Sequence, residues 1–368
     1  MKFYIIAGER SGDLHGSNLI KALKQQRPNA EIRCWGGDAM EEAGGELVTH
    51  YREMAFMGFF EVVKHLGTIR KKINFCKEDI LSYKPDAIIL IDYAGFNMRI
   101  AKFAKANNIP VHYYISPKIW AWNQKRAFKI KKNVDYMYVI LPFEKEFYKR
   151  YDFEVDYVGN PLLDAIRDFK PSQNFAFKDK NVIAVLPGSR QQEVEQMMEN
   201  LQKVTVEFSQ EHFVVAGVKS LDKTLYSKIE NQSNVSLIFD QTYDLLSNSK
   251  AALVTSGTAT LETALFNVPE VVVYKTGTIS YAIAKKVVKV EFISLVNLIL
   301  QKEAVKELIQ EKFTVKNIAD ELKHILPKGQ KRAQILNDYK NLKALMGDEN
   351  TSQKTAGMIL ERTILVDL

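Results

Sequence analysis

The stretch LPGSRQQEVE, residues 186–195, joins two different hydrophobic patterns. An apolar run over residues 182–185 precedes it, and apolar residues spaced like one helix face follow it at Val194, Met197, Met198 and Leu201. The pattern predicts a strand, a tight turn at Gly188 and a helix. A helix N-terminus attracts anions and the arginine guanidinium is a planar fork of donors, so Arg190 marks a candidate phosphate site.

The totals describe an ordinary folded protein. The chain has 368 residues, of which 46% are hydrophobic and 26% charged, and this length suits two domains. The spacing of its two cysteines, Cys34 and Cys76, fits neither a zinc site nor a disulfide framework, which favours a reducing cytoplasm. We expect no signal peptide and no membrane span, and therefore a soluble or peripheral protein.

Positive charge is unevenly distributed along the chain. The net charge is +7, and residues 118–132 hold six basic residues, no acidic residue and two tryptophans. Basic residues beside tryptophan suit an anionic membrane surface, a phosphorylated ligand or nucleic acid. A solvated helix face is an equally good interpretation.

Strand-like and helix-like segments alternate in both halves of the chain, which predicts two parallel sheets with helical crossovers. We therefore expect two Rossmann-like α/β domains, at residues 1–168 and 169–345, facing a cleft. A helical tail over 346–368 would pack back on the first domain or on a partner subunit. Predicted strands cover 2–8, 31–37, 86–92, 110–116, 136–141, 155–159, 181–188, 212–217, 235–239, 251–257 and 270–275. Predicted helices include 17–26, 56–82 and 96–107, and the chain after about residue 280 is predicted to be mainly helical.

Ligands of such domains bind outside the carboxyl ends of the strands. After the first strand comes GERSGDLHG, residues 8–16, which is not a dinucleotide fingerprint. Its Glu9 and Asp13 lie near a helix start, where capping is the simplest role. Asp92 ends a buried strand and is a candidate general base whose burial would raise its pKa, although a helix cap is an equal alternative.

A second anion-binding turn is predicted in the second domain. Ser256, Gly257 and Thr258 follow a strand and begin a helix, and Glu262 lies one turn later, where it would accept hydrogen bonds from a ribose diol. A helix-surface glutamate is the alternative. Two phosphate-binding turns and a diol acceptor indicate a nucleotide diphosphate. The six histidines are scattered, and we expect no metal site.

Several longer motifs carry a family resemblance. GERSGDLHG, IDYAGFN, YYISPKIWAWNQKRAFKI, LPGSRQQEVE, TSGTATLETAL and ISLVNLI occur in order. In these motifs the chain closely resembles the lipid-A-disaccharide synthase family, up to about residue 310. The resemblance implies a GT-B inverting glycosyltransferase. It would condense UDP-2,3-diacylglucosamine with 2,3-diacylglucosamine 1-phosphate into the β-1,6-linked disaccharide 1-phosphate of lipid A.

The resemblance also implies roles for particular residues. Asp92 would be the base, and Glu9 would position the sugar or share that role. The family commonly reads D-x-P-D-F-N where this chain has Gly95 in place of the second aspartate, so the base falls on Asp92. The UDP would be held by Gly188, Ser189, Arg190, Ser256, Gly257, Thr258 and Glu262. The sugar or acceptor positions would be Ser11, Gly12, Asp13, Asn97 and Asn297.

The expected partners are the two lipid substrates and an anionic membrane surface, with no nucleic acid. Helix dipoles and fixed positive charge would stabilise departing UDP, so neither a metal nor another cofactor is expected. An interfacial helix would present Phe56, Phe59, Phe60 and Val63, with Arg70, Lys71 and Lys72 behind them. A core-facing helix is the alternative. The protein would lie on the cytoplasmic face of the inner membrane, and a homodimer is an allowed assembly. A rival of the same fold is another UDP-sugar enzyme, either a 2-epimerase or a lipid-linked N-acetylglucosamine transferase.

Overall fold

Two units make up the computed structural model, which describes residues 1–53, 66–178, 180–277, 281, 285–347 and 350–364. The first unit is Met1–Asp164 with Asp348–Leu368, and the second is Ala165–Gly347. Each unit contains one parallel sheet. The predicted fold class of two Rossmann-like α/β domains is confirmed.

Within the described residues, the first unit has a seven-stranded parallel sheet in the order β3-β2-β1-β4-β5-β6-β7. The strands are β1 Lys2–Ala7, β2 Glu31–Gly36, β3 Glu46–His50, β4 Ala87–Ile91, β5 Val111–Tyr114, β6 Tyr136–Val139 and β7 Asp156–Tyr157. The strand order reverses between β1 and β4, where Ala7 pairs with Ile91. Both strands are apolar and almost wholly buried, as expected for central strands covered on both faces.

Most helices of this unit lie between successive strands along the chain. The helices are α1 Arg10–Gln26, α2 Asp38–Glu42, α3 Leu66–Tyr83, α4 Ala94–Ala106, α5 Arg126–Asn133, α6 Pro142–Lys149, α7 Pro161–Asp168, which spans the division between units, and the C-terminal α14 Thr351–Ile364. Short 3₁₀ turns occur at Tyr51–Glu53 and Ile119–Ala121. Of the predicted helix 56–82, residues 56–65 lie outside the described residues.

Helix α1 begins well before the predicted start at residue 17. Glycine is a weak helix former, so Gly12 and Gly16 weaken the local sequence signal for a helix there. Packing overrides this local preference, because a Cβ on Gly16 would lie 2.6 Å from the sulfur of Met40. The glycines let α1 lie close to its neighbours.

The tail helix α14 packs on the first unit. Ala356 and Ile359 belong to the same buried cluster as Leu19 and Leu23 of α1. At its C-terminal end, Arg362 forms charged hydrogen bonds and stacks over aromatic rings of the sheet edge; its partners are Asp156 at 2.6 Å, the ring of Tyr136 at 4.8 Å and the ring of Tyr138 at 5.5 Å. Apolar burial and the charged anchor together hold the tail.

In the described part of the second unit, six parallel strands lie in the order β10-β9-β8-β11-β12-β13. The strands are β8 Val182–Leu186, β9 His212–Gly217, β10 Val235–Phe239, β11 Ser249–Thr255, β12 Glu270–Tyr274 and β13 Lys306–Ile309. The helices are α8 Gln191–Val204, α9 Thr242–Ser247, α10 Thr258–Leu265, α11 Leu295–Leu300, α12 Val315–Ile325 and α13 Arg332–Met346, with 3₁₀ turns at Thr205–Glu207, Lys223–Ile229 and Gln310–Lys312. The order reverses between β8 and β11.

Two strands depart from the sequence expectation. β13 lies in the region predicted to be mainly helical, and β3 was not predicted at all. Both are short edge strands containing charged residues, so neither shows the continuous apolar run of a central strand. None of the described helices has the length and apolar character needed to cross a membrane.

Candidate active site

The reversal of strand order in the first unit brings two carboxylates to one edge of the sheet. Such a reversal opens a crevice at the carboxyl ends of the strands, where α/β proteins bind ligands. Glu9 follows β1 and is the exposed N-cap residue of α1, while Asp92 directly follows β4. The sequence predicted both positions from the ends of apolar runs.

Asp92 lies in a constrained turn. Asp92 and Tyr93 have φ angles of 44° and 48°, in the left-handed region that residues other than glycine rarely adopt. The Asp92 carbonyl accepts hydrogen bonds from Asn97 Nδ2 at 2.8 Å and from the Tyr113 hydroxyl, and its N–H donates to the Tyr114 carbonyl at 3.2 Å. Functional sites often contain strained backbone that surrounding hydrogen bonds hold in place, as they do here.

The environment of Asp92 favours a carboxyl group that accepts a proton. Burial raises its pKa above the ordinary value, the nearby negative charge of Glu9 raises it further, and the positive charge of Lys118 opposes both. Sequence analysis gave Lys118 no role. The sequence clue to Lys118 was its position in the segment SPK, which follows β5 at the same carboxyl edge of the sheet.

The opposing effects of Glu9 and Lys118 on the pKa of Asp92 lead to a prediction about the pH dependence of the rate. Glu9→Gln removes a like charge, so the pKa of Asp92 should fall and the acid limb of kcat/KM should move to lower pH. Lys118→Gln should move that limb to higher pH. Each shift should be less than about one pH unit, because Glu9 and Lys118 are exposed to water. Rate–pH profiles test this, with exposed Lys102→Gln on α4 as the control; shifts of the same sign would contradict it.

The carboxylate of Asp13 is engaged inside the protein. Asp13 is buried and accepts hydrogen bonds from the backbone N–H groups of Gly37 at 2.7 Å, Met40 at 3.1 Å and Ala39 at 3.2 Å. It therefore caps the start of α2, whereas the sequence predicted a cap at the helix that follows β1, which is α1. In this structure Asp13 thus joins α1 to α2, and its role as a sugar ligand stays a prediction.

Asn97 is also a positioning residue in this structure. Its side chain is completely buried, and its amide nitrogen donates to the carbonyls of Asp92 and Ile91. Asn97 thus holds the carbonyl groups of the Asp92 turn in place, and its sugar contact stays a prediction. Ser11 is exposed in the first turn of α1 and Gly12 is buried against Ala7, and their predicted roles stay predictions.

A buried glutamate holds the segment that carries Lys118. Glu144 accepts hydrogen bonds from Trp120 Nε1 at 3.1 Å and from the N–H groups of Leu141 and Ile140 at 3.0 and 3.2 Å. Burial raises the pKa of this carboxyl to about 7. Sequence analysis missed Glu144, since its partner is 24 residues away along the chain.

In the second unit, the predicted phosphate position at the start of α8 is filled by a side chain. One oxygen of Glu193 accepts from the N–H groups of Ser189 and Arg190 at 3.1 and 3.2 Å, and the other accepts from Arg190 Nη1 at 3.1 Å. Gly188 has φ +94°, and a Cβ on it would lie 2.4 Å from the Glu193 carboxylate. The turn thus binds an anionic group, and in this structure that group is the Glu193 carboxylate.

The turn before α10 retains part of its predicted donor set. Ser256 N–H donates to Val273 O at 3.0 Å and its hydroxyl to Ile293 O at 2.8 Å, so both donors are engaged within the protein in this structure. Its role as a phosphate donor stays a prediction. Gly257 and Thr258 are exposed at the helix N-terminus, as a phosphate site requires.

Glu262 lies on the same helix, half-buried. Burial raises the pKa of its carboxyl, and one oxygen accepts a hydrogen bond from the Tyr243 hydroxyl at 3.1 Å. An ionised carboxylate in such a place gains from further donors, and a ribose diol would supply them. The ribose role stays a prediction.

Asn297 has no hydrogen-bonding capacity left for a sugar. Its oxygen accepts from the N–H groups of Ala304 and Val305, and its nitrogen donates to the Val305 carbonyl and to Glu307, at distances of 2.8 to 2.9 Å. These contacts fill all four positions of the amide. In this structure Asn297 joins α11 to β13, and its sugar contact stays a prediction.

The remaining predictions concern a metal site and a membrane-contact surface. Across the described ranges, no group of three or more His, Cys, Asp or Glu side chains is placed to hold a metal ion. Arg70 and Lys71 are exposed on α3, whereas Lys72 is half-buried and pairs with Glu53 at 3.0 Å. The apolar stripe of Phe56, Phe59, Phe60 and Val63 lies outside the described residues.

The fold and its strand-end residues define a class. Two Rossmann-like units, each built on one parallel sheet, are typical of the GT-B fold. The fold is similar to UDP-GlcNAc 2-epimerase from Neisseria meningitidis bound to UDP-GlcNAc (TM-score 0.71, 14% identity, 98% of this chain and 100% of that chain). It is also similar to the kitacinnamycin glycotransferase (TM-score 0.68, 12% identity, 98% of each chain).

Sequence comparison identifies the family within this class. Residues 3–361 match the model of the lipid-A-disaccharide synthetase family. The lipid-A-disaccharide synthase of Syntrophus aciditrophicus is 37% identical over 97% of this chain and 96% of its own length. That of Coxiella burnetii is 34% identical over 96% of both. The chain belongs to the lipid-A-disaccharide synthetase family, and the resemblance inferred from its motifs is confirmed.

Proposed function

We propose that this protein condenses UDP-2,3-diacylglucosamine with 2,3-diacylglucosamine 1-phosphate to give the β-1,6-linked lipid A disaccharide 1-phosphate and UDP. The observation that carries this proposal is the family match over residues 3–361. The alternative of a UDP-sugar 2-epimerase is not favoured, because the similarity to epimerases is at 14% identity and concerns the fold alone.

In the proposed reaction, Asp92 is the general base. As the acceptor 6-oxygen attacks C1 of the donor sugar, its proton passes to the Asp92 carboxylate. The bond between C1 and the UDP oxygen breaks, its electron pair leaves with UDP, and attack from the opposite face inverts C1. The raised pKa of Asp92 and its constrained turn support this role.

The second unit would hold the donor. Arg190 would contribute positive charge to the diphosphate site. The exposed N-terminus of α10, at Gly257 and Thr258, would contribute N–H donors, and Glu262 would bind the ribose. Glu193 occupies the N–H groups of the α8 turn, so the diphosphate must displace it or bind beside it through Arg190. Positive charge at these helix starts would stabilise UDP as it leaves.

Thin-layer analysis tests the proposed function. Purified protein with both substrates should give one disaccharide phosphate for each UDP released, and no UDP release when the acceptor is omitted. Interconversion of UDP-sugar epimers without disaccharide would contradict the proposal.

The same assay with excess EDTA should keep its rate. A loss of activity that magnesium or manganese restores would contradict electrostatic stabilisation of UDP by the protein alone.

We further propose that the first unit contacts an anionic membrane surface, where the acylated substrates reside. Trp122 and Phe128 are 44% and 59% exposed, and the exposed basic residues Lys125 and Lys132 lie near them in sequence. Arg70 and Lys71 are exposed on α3. Aromatic and basic residues together are typical of interfacial surfaces.

Charge reversal tests this contact. Each basic residue near an anionic surface contributes on the order of 1 kcal/mol, so Arg70→Glu with Lys71→Glu should lower partition onto anionic vesicles by at least roughly tenfold. UDP affinity should be unchanged. Sedimentation with vesicles is the measurement, and Lys312→Glu with Lys316→Glu, both exposed in the second unit, is the matched control. Equal partition of the two double variants would exclude α3 from the contact.

A further inference from the structure

A basic groove lies beside the Asp92 turn, between the first turns of α4 and α5. Its volume is about 150 Å³. The residues that matter are the cations Arg99, Arg126 and Lys129, the buried apolar Pro117 and Ile119, and Gly95 at the helix start. No residue of this lining is acidic.

The described side-chain contacts of Arg99 and Arg126 are with neutral groups. Arg99 donates to the Gly95 carbonyl at 2.7 Å, and the Arg126 guanidinium lies 5.2 Å from the centre of the Trp122 ring. Among the residues that the structure describes, none of the three cations forms an ion pair. Like charges gathered in one groove repel one another until an anion enters, and the positive end of the α4 dipole adds to the same field.

We propose that this groove binds the phosphate monoester of the acceptor, its 1-phosphate; the inference rests on the proposed function. In the acceptor, the 6-hydroxyl and the 1-phosphate project from opposite sides of one sugar ring. A phosphate site must therefore lie about one sugar from the base. The groove begins at Ala94, two residues after Asp92, and Pro117 and Ile119 flank Lys118, whose charge acts on Asp92.

The chemistry of the lining suits a phosphate monoester. At neutral pH this group carries close to two negative charges, and arginine binds it through paired, charge-assisted hydrogen bonds. Gly95 contributes by being small and uncharged. A Cβ at this position would meet nothing within 4 Å, so the glycine leaves open space where the family pattern has an aspartate.

Acceptor kinetics with two acceptors test the groove. Arg99→Gln, Arg126→Gln and Lys129→Gln should each raise KM for the 1-phosphate acceptor by roughly tenfold or more, with donor KM unchanged. For a 1-O-methyl acceptor that lacks the phosphate, wild-type KM should already be high and the variants should raise it no further. Lys102→Gln, exposed on α4 but outside the groove, is the matched control.

A pair of substitutions at Gly95 gives an independent test of the phosphate site. Gly95→Asp and Gly95→Asn have similar size and differ in charge, and the open space accommodates either. The aspartate should raise KM for the phosphorylated acceptor more than the asparagine does, and the difference should vanish with the 1-O-methyl acceptor. Equal KM values for the two variants with the phosphorylated acceptor would count against an anion in the groove.

The outcomes separate the alternatives. Groove variants that match the controls, or that raise KM equally for both acceptors, overturn the phosphate site while leaving the proposed function intact. Wild-type protein that forms no disaccharide from either acceptor overturns the proposed function, and with it this inference. If the variants lose binding to phosphatidic acid vesicles but keep wild-type KM for a short-chain soluble acceptor, the groove binds a lipid headgroup and the acceptor assignment fails.

Discussion

Asp92→Asn should lower kcat by about 10²- to 10⁴-fold while leaving the affinity for the UDP-sugar within a few-fold of wild type. The acceptor hydroxyl is a poor nucleophile while it keeps its proton. A carboxylate that takes this proton in the transition state contributes a factor of that size, and asparagine keeps the shape of the side chain without its basicity. Single-turnover rates with saturating donor measure the effect directly.

The structure explains why this substitution should leave the turn intact. Asparagine is among the residues most tolerant of the left-handed conformation, and Asp92 has a φ of 44°. The bonds from Asn97 and Tyr113 go to the Asp92 carbonyl, which the substitution keeps. Because folding raises the pKa of this carboxyl, its ionised form costs stability above that pKa, and its removal should not lower Tm at neutral pH.

A matched control lies at the other end of the same strand. Asp86 precedes β4 and accepts a hydrogen bond from the Lys2 N–H at 2.7 Å. Asp86→Asn should keep wild-type kcat, because it is at the edge of the sheet opposite Asp92. If Asp92 is only a helix cap, asparagine should cap equally well. A kcat for Asp92→Asn within about fivefold of wild type would then move the base assignment to Glu9.

The sequence was sufficient for the central part of the fold because central parallel strands have a strong local signature. β1, β4, β8 and β11 are covered on both faces and appear as apolar runs. The residues that end these runs therefore marked the ligand-binding edges before the strand order was known. The edge strands β3 and β13 carry no such signature, since they are short and charged.

Local patterns predicted the positions of the site residues better than their contacts. The helix starts at Arg190 and Gly257 follow from strand–turn–helix periodicity. The engagement of Asn297 with Glu307 and of Ser256 with Ile293 depends on tertiary packing across 10 and 37 residues, which periodicity does not encode. For this reason, sequence patterns alone do not show which contacts the buried polar residues of the site make.

The second large effect is expected at Arg190, whose replacement by alanine should raise the Kd for UDP by roughly 10- to 100-fold. Charge-assisted hydrogen bonds contribute about 1.5–3 kcal/mol, and each 1.4 kcal/mol changes Kd tenfold. The fold should survive, because the Arg190 side chain is 76% exposed and its ion pair with Glu193 contributes at most about 1 kcal/mol. Arg190→Lys should recover only part of the affinity, since an ammonium group lacks the planar fork.

Calorimetric titration with UDP measures this effect against Lys203→Ala, an exposed cation at the far end of α8 that should leave Kd unchanged. Glu193→Gln should change the Kd for UDP in the opposite direction. Its carboxylate occupies the N–H groups of Ser189 and Arg190, so removing that charge should lower the Kd for the negatively charged diphosphate. Weaker binding by Glu193→Gln would mean that Glu193 orients Arg190 and does not compete with UDP. Wild-type affinity in Arg190→Ala would exclude the α8 turn as the diphosphate site, leaving the start of α10 as the remaining candidate.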